Sequence, residues 1–133
     1  MPEERILIVE DEALIIMDLE VRLKRLGYAI IYSAFTGEDA VKIAQENQPH
    51  LIFMDIALSG EMDGVEASKA ICSRLKIPVI YITGSSERML TKSLQEADLT
   101  HPYDYIIKPF DEKKLKEKIE ALLGEKSSSP LSS

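Results

Sequence analysis

Short apolar runs alternate along the chain with longer stretches whose apolar residues recur at helical spacing. Arg5–Val9 is a β-branched run, and Glu12–Leu26 follows with Ile15, Leu19, Leu23 and Leu26 on one stripe. Gly27 suits the position just past a helix end. Tyr28–Ser33 reads as a second strand, and Thr36-Gly37 opens a helix through Ala40, Val41 and Ala44. Leu51–Met54 is wholly apolar and runs into Asp55, and Asp63 or Gly64 then starts a helix to about Leu75. Pro78–Thr83 is a fourth strand, Glu87–Ala97 a weaker helix and Tyr105–Ile107 a fifth strand. Asp111 caps a last helix with Leu115, Ile119, Leu122 and Leu123 inward.

Such a series of βα units implies an α/β fold with a parallel sheet and helices on both faces. The first, third and fourth strands lack apolar–polar alternation, which places them centrally, buried on both sides. In open sheets of this kind ligands bind beyond the carboxyl ends of the strands. The residues that end strands are therefore the ones to inspect: Glu10-Asp11-Glu12, Asp55, Thr83 and Lys108-Pro109.

Composition narrows the field. At 133 residues the chain fits one domain with a core that needs neither disulfide nor metal, and its single cysteine, Cys72, forms no internal bridge and suits a reducing cytoplasm. Cys72, on the third helix, reads as a small buried hydrophobe, and His50 and His101 as loop residues with no zinc spacing. No apolar run approaches the roughly 18 residues of a membrane span. A net charge of −7 argues against nucleic acid as a direct partner, since the dense lysines (Lys113, Lys114, Lys116, Lys118) are interleaved with Glu112, Glu117 and Glu120 on one helix.

Taken singly, the strand-end residues have bland explanations. Acids complement the positive end of the first helix, Asp55 could cap a turn, a strand-end threonine is usually structural, and a lone lysine is usually solvated. Together at one sheet edge they define a chemistry. Asp11 and Asp55 would crowd two carboxylates unless a cation lies between them, and an oxygen-rich site with few protein ligands suits Mg²⁺. Such a site supports phosphoryl transfer to the Asp55 carboxylate, with Lys108 neutralising equatorial oxygens and Thr83 donating to one of them.

These residues carry a resemblance. Ile6–Glu12 (ILIVEDE), Met54–Gly60 (MDIALSG), Met62–Gly64 (MDG), Pro78–Gly84 (PVIYITG) and Lys108–Phe110 (KPF), in this order and spacing, resemble the receiver domain of two-component response regulators over about Glu4 to Gly124. The resemblance implies a flavodoxin-like, doubly wound five-stranded parallel sheet of order 2-1-3-4-5 with five helices. It implies a phosphoacceptor signalling domain, not a turnover enzyme, that takes a phosphoryl group on Asp55 from the phosphohistidine of a sensor histidine kinase or phosphotransfer protein. By the same match Asp11 and Asp55 bind Mg²⁺ directly, Glu10 acts through water, and the Ala57 carbonyl completes the protein ligands. Lys108 contacts the acyl phosphate. Thr83 moves towards it and draws Tyr105 inward, which alters the surface of helix 4, strand 5 and helix 5. The Lys108–Pro109 peptide is expected to be cis.

Several positions depart from the family pattern. Glu10 stands where aspartate is common, Ala57 offers no side chain near the attacking water, and Ser85 is small and uncharged. Gly84 loosens the loop after Thr83, Ser59 stands where proline is frequent, and Glu61 lengthens the loop to Gly64. Residues 1–124 are expected to form the receiver domain, and 125–133 a flexible tail or the start of a linker to an output domain. A separate effector and a homodimer through the last helix and fifth strand are further candidate partners. An aspartate-nucleophile phosphatase of the haloacid dehalogenase type would need a second acid where Ala57 stands. A nucleotide or flavin carrier would need a phosphate loop where Glu10-Asp11-Glu12 would repel one. A receiver-like module that accepts no phosphate is the third alternative.

Overall fold

The computed structural model describes residues 3–58, 60–84 and 86–124, so the expected tail at 125–133 and the departures at Ser59 and Ser85 lie outside the described residues. Strands β1 (Arg5–Val9), β2 (Ile30–Ala34), β3 (Leu51–Asp55), β4 (Val79–Thr83) and β5 (Tyr103–Ile107) alternate with helices α1 (Ala13–Arg25), α2 (Gly37–Asn47), α3 (Gly64–Cys72), α4 (Glu87–Glu96) and α5 (Glu112–Leu123). All pairings are parallel and the sheet order is β2-β1-β3-β4-β5, the doubly wound arrangement expected from the sequence.

Strand alternation divides the core in two. Leu7, Val9, Ile52, Met54, Val79 and Tyr81 face Ala40, Ala44, Ala67, Ile71, Leu90 and Leu94 of α2, α3 and α4. Ile6, Ile8, Phe53, Ile80 and Ile82 face Leu19 and Leu23 of α1 and Leu115 and Ile119 of α5. β3 and β4 are buried at every position, as strands covered on both faces must be. Side chains that start helices do so by capping. Thr36, Ser86 and Asp111 each accept from the backbone N–H three residues on, and Asp63 and Glu66 form a reciprocal capping box at α3.

Where boundaries differ from the sequence reading, local hydrogen bonds explain it. β2 begins at Ile30 instead of Tyr28 because the chain is still closing α1: Gly27, at φ 103°, donates to Lys24 and Tyr28 donates to Leu23. β5 begins at Tyr103, two residues early, because that residue pairs with Val79. Cys72 is half-buried, with its Sγ 3.4 Å from the Ile77 carbonyl, and is less deeply placed than a core hydrophobe.

A buried polar network joins the sheet to α3 and to the loop after α4. The buried Tyr81 hydroxyl sits 2.6 Å from Ser68 Oγ on α3 and 3.0 Å from His101 Nε2 in the loop before β5. Ser68 also donates to the Val65 carbonyl, so one chain of hydrogen bonds joins α3, β4 and the α4–β5 loop. Burial pushes the Tyr81 hydroxyl pKa up and the His101 pKa down.

Candidate functional site

Parallel strands bring all their carboxyl ends to one edge, and register aligns the residues there. Val9 pairs with Met54, so Glu10 emerges level with Asp55. Asp55 pairs with Ile82, and Thr83 with Ile107, so Thr83 and Lys108 emerge just beyond. Hydrogen bonds past the strand ends hold these residues in place: Glu10 N–H to Ala34 at 3.0 Å, Ile56 N–H to Ile82 at 3.1 Å, and Lys108 N–H to Thr83 at 2.8 Å.

Carboxylate oxygens of Glu10, Asp11 and Asp55 all lie within 4.8 Å of one another. Glu10 and Asp55 are buried while Asp11 is exposed, so the cluster is open to solvent on one side. Lys108 Nζ approaches Glu10 Oε1 at 3.5 Å, and Glu10 Oε2 accepts from the Glu12 N–H at 3.2 Å. Asp55 Oδ1 accepts from the Ala57 N–H at 3.0 Å, which fixes the carboxylate against its own turn. Burial, and next the charge of Asp55, push the Glu10 carboxyl up to about 7, with Lys108 opposing them. Glu10 Oε1 is buried without a hydrogen-bond partner among the described residues. Three carboxylates that converge in this way, two of them buried, form the all-oxygen donor set that a hard divalent cation fits.

Thr83 is buried at the end of β4. Tyr105, two residues before Ile107, is half-buried, and its hydroxyl donates to the Glu87 carboxylate at the start of α4. The Lys108–Pro109 peptide is cis. A cleft of about 330 Å³ opens between the start of α4, β5 and α5, lined by Glu87, Tyr105, Pro109, Phe110, Lys114 and Lys118. Sequence reasoning named Tyr105 but not its Glu87 partner, because a contact between a strand and a helix N-terminus 18 residues apart has no spacing signature.

A family model described as the response regulator receiver domain matches residues 6–120. Among curated proteins, the transcriptional regulatory protein PdtaR of Mycobacterium tuberculosis is 38% identical over 106 residues, covering 80% of this chain and 50% of that protein. The phyllosphere-induced regulator PhyR of Methylorubrum extorquens is 43% identical over 106 residues, covering 79% of this chain and 38% of that protein. Among solved structures, the receiver domain of the sensor histidine kinase PA1611 from Pseudomonas aeruginosa, with a magnesium ion coordinated in its active-site cleft, superposes with a TM-score of 0.79. It is 26% identical and covers 92% of this chain and 99% of that one. The chain belongs to the response regulator receiver domain family, and its function is that of a receiver domain in response-regulator signalling. It spans half or less of the length of these two curated relatives. No helix among the described residues is long and apolar enough to cross a membrane.

Proposed function

We propose that Asp55 is the phosphoacceptor, and that it receives its phosphoryl group from a phosphohistidine of a sensor histidine kinase or phosphotransfer protein. The observation that carries this reading is the convergence of Glu10, Asp11 and Asp55, from the ends of β1 and β3, with Lys108 from the end of β5. In the transfer an Asp55 oxygen forms a P–O bond as the P–N bond breaks, and the donor imidazole leaves with that electron pair and takes up a proton. The product is an acyl phosphate whose later hydrolysis restores the carboxylate, so the domain is a signalling switch and not a turnover enzyme.

Glu10, Asp11 and Asp55, with the Ala57 carbonyl, are the groups that would hold Mg²⁺, which when bound supplies neutralisation of the charge on the transferring group. Lys108, from the end of β5, supplies a second positive charge, and Thr83 a hydroxyl for a phosphoryl oxygen. A new dianion at this edge draws Thr83 towards it, and Tyr105 follows into the space beneath α4. The α4, β5 and α5 surface then changes shape and is the surface offered to an output domain, a separate effector or a second copy. The setting proposed is the cytoplasm, where a kinase and Mg²⁺ are both available, with neither nucleic acid nor membrane as a direct partner.

The test is intact mass after incubation with Mg²⁺ and a small acyl phosphate donor, beside the Asp55→Asn variant. One magnesium-dependent phosphoryl group on the native chain alone is the expected result. Labelling of Asp55→Asn at another residue would overturn the assignment. No labelling of either folded protein, by small donors or by phosphorylated kinases, would favour a binding module that accepts no phosphate.

A further inference from the structure

The cluster of acids is only as well placed as the turn that carries Asp55, and that turn is packed against helix backbone through glycine. Gly64 is the first residue of α3. A Cβ at this position would stand 2.2 Å from the Asp55 carbonyl oxygen and 3.0 Å from both the Asp55 carbonyl carbon and the Ile56 Cα. All three neighbours are main chain, so no flexible side chain can yield. The glycine is needed for space, since its backbone is not in the left-handed region. One layer further out, a Cβ at Gly37, the first residue of α2, would meet Met62 Cγ, the Met62 carbonyl oxygen and Ala67 Cβ, each at 3.1 Å. The segment between Asp55 and α3 is thus closed in by two helix starts, each lacking a side chain where it presses on the segment.

We propose that Gly64 is a positioning residue for the phosphoryl-accepting carboxylate: by letting the first turn of α3 lie directly on the Asp55 main chain, it sets where the carboxylate sits relative to Glu10, Asp11 and Lys108. This rests on Asp55 being the phosphoacceptor. Those partners hang from β1 and β5, whereas Asp55 ends β3. A shift of the 55–57 turn therefore moves one reacting group and leaves the others in place. The turn has two further constraints, the Ile56 N–H to the Ile82 carbonyl and the Ala57 N–H to Asp55 Oδ1. Displacing α3 cannot be absorbed by sliding the strand. It tilts the turn instead, and Oδ1 moves with it. The glycine at position 37 supports this arrangement, since a Cβ there would press Met62 and Ala67 of α3 outward.

The experiment measures the maximal rate of phosphorylation at saturating acyl phosphate and saturating Mg²⁺, together with the melting temperature, for the native chain, Gly64→Ala, Gly37→Ala and Ala70→Gly. Ala70 lies six residues along α3 from Gly64, about 9 Å further along the helix axis, so its change to glycine weakens the helix at a distance from Asp55. The expected result for folded Gly64→Ala is a maximal rate lower by about 100-fold, as misplacement on the order of 1 Å produces, with the half-saturating donor concentration little changed. Gly37→Ala is expected to fall several-fold, and Ala70→Gly to melt lower at the native rate. A native maximal rate in folded Gly64→Ala overturns the proposal, and so does an equal loss in Ala70→Gly, which would tie rate to stability alone. Should Gly64→Ala not fold, Gly37→Ala decides, a native rate there counting against. Failure of the native chain itself to label at Asp55 would instead remove the phosphoacceptor reading on which this rests.

Discussion

Lys108 Nζ and Glu10 Oε1 stand 3.5 Å apart although they extend from β5 and β1, which are separated in the sheet by β3 and β4. The ion pair spans the ends of both intervening strands, β3 ending at Asp55 and β4 at Thr83. The Lys108 charge opposes the upward push on Glu10 from burial and Asp55. Lys108→Ala is accordingly expected to leave the domain folded, because the Glu10 carboxylate that loses its ion pair can take up a proton instead. It should slow or uncouple the response to phosphorylation. Intact-mass kinetics with an acyl phosphate, and amide chemical shifts before and after labelling, test this; unchanged labelling with an unchanged shift response would remove Lys108 from the mechanism.

Mg²⁺ should stabilise the domain more at pH 8 than at pH 5.5. The Glu10 carboxyl is raised to about 7 from an ordinary 4.5, so without a cation its ionisation opposes folding. The sign follows: the unfolded chain releases this proton first, and the metal-free fold loses stability as pH rises from about 4.5 through about 7. Mg²⁺ requires the ionised cluster, so its effect grows over the same interval. Melting temperatures with and without Mg²⁺ at the two pH values measure this, and a metal-induced rise that is equal at both would refute it.

How much of this was legible beforehand depended on the range of the interaction. The apolar runs Leu51–Met54 and Pro78–Ile82 announced buried parallel strands because both faces of a central strand are covered. Strand ends then located Glu10, Asp11, Asp55, Thr83 and Lys108 without any knowledge of register, because in a parallel sheet all such ends share one edge. The remaining features depend on tertiary approach. Gly64 reads in sequence as part of a helix start, and nothing local reveals that Asp55 main chain occupies the space where its side chain would be. His101 reads as a loop residue, and its bond to Tyr81 depends on how the α4–β5 loop folds back over β4.

Tyr105 and Glu87 give a test of the proposed switch. The phenol donates to the Glu87 carboxylate and Lys118 Nζ lies 5.2 Å from the ring centroid, and both contacts hold the ring outward. Tyr105→Phe removes the hydrogen bond at an open surface, so a stability change within about 0.5 kcal/mol is expected. The ring should then populate the inward position beneath α4 more fully, before and after phosphorylation. Ring-current shifts at Thr83 and Leu90 report the position, and shifts identical to those of the native chain would show that the Glu87 contact does not restrain the ring.

The hydrogen-bonded chain through Tyr81 should make the far end of α4 sensitive to pH. Ser68 donates to the Val65 carbonyl, which turns its oxygen into an acceptor for the Tyr81 hydroxyl. The Tyr81 oxygen then accepts from His101 Nε2, so the histidine is bound with its Nε2 proton in place. Tyr81→Phe would strip both neighbours of a partner in a buried setting, at a cost of about 1–3 kcal/mol. Burial lowers the His101 pKa below its ordinary 6.5. A base whose folded pKa is depressed favours the fold fully above its unfolded value, and that contribution is lost as pH falls through the folded one. The His101 contribution should therefore decline on going from pH 7.5 to pH 5, against the opposite trend from Glu10, so over this interval His101→Asn should change more in favour of the folded state than the native chain does. Urea unfolding of both proteins at the two pH values measures the difference; identical pH dependences would mean that His101 is as free to protonate in the folded chain as in the unfolded one.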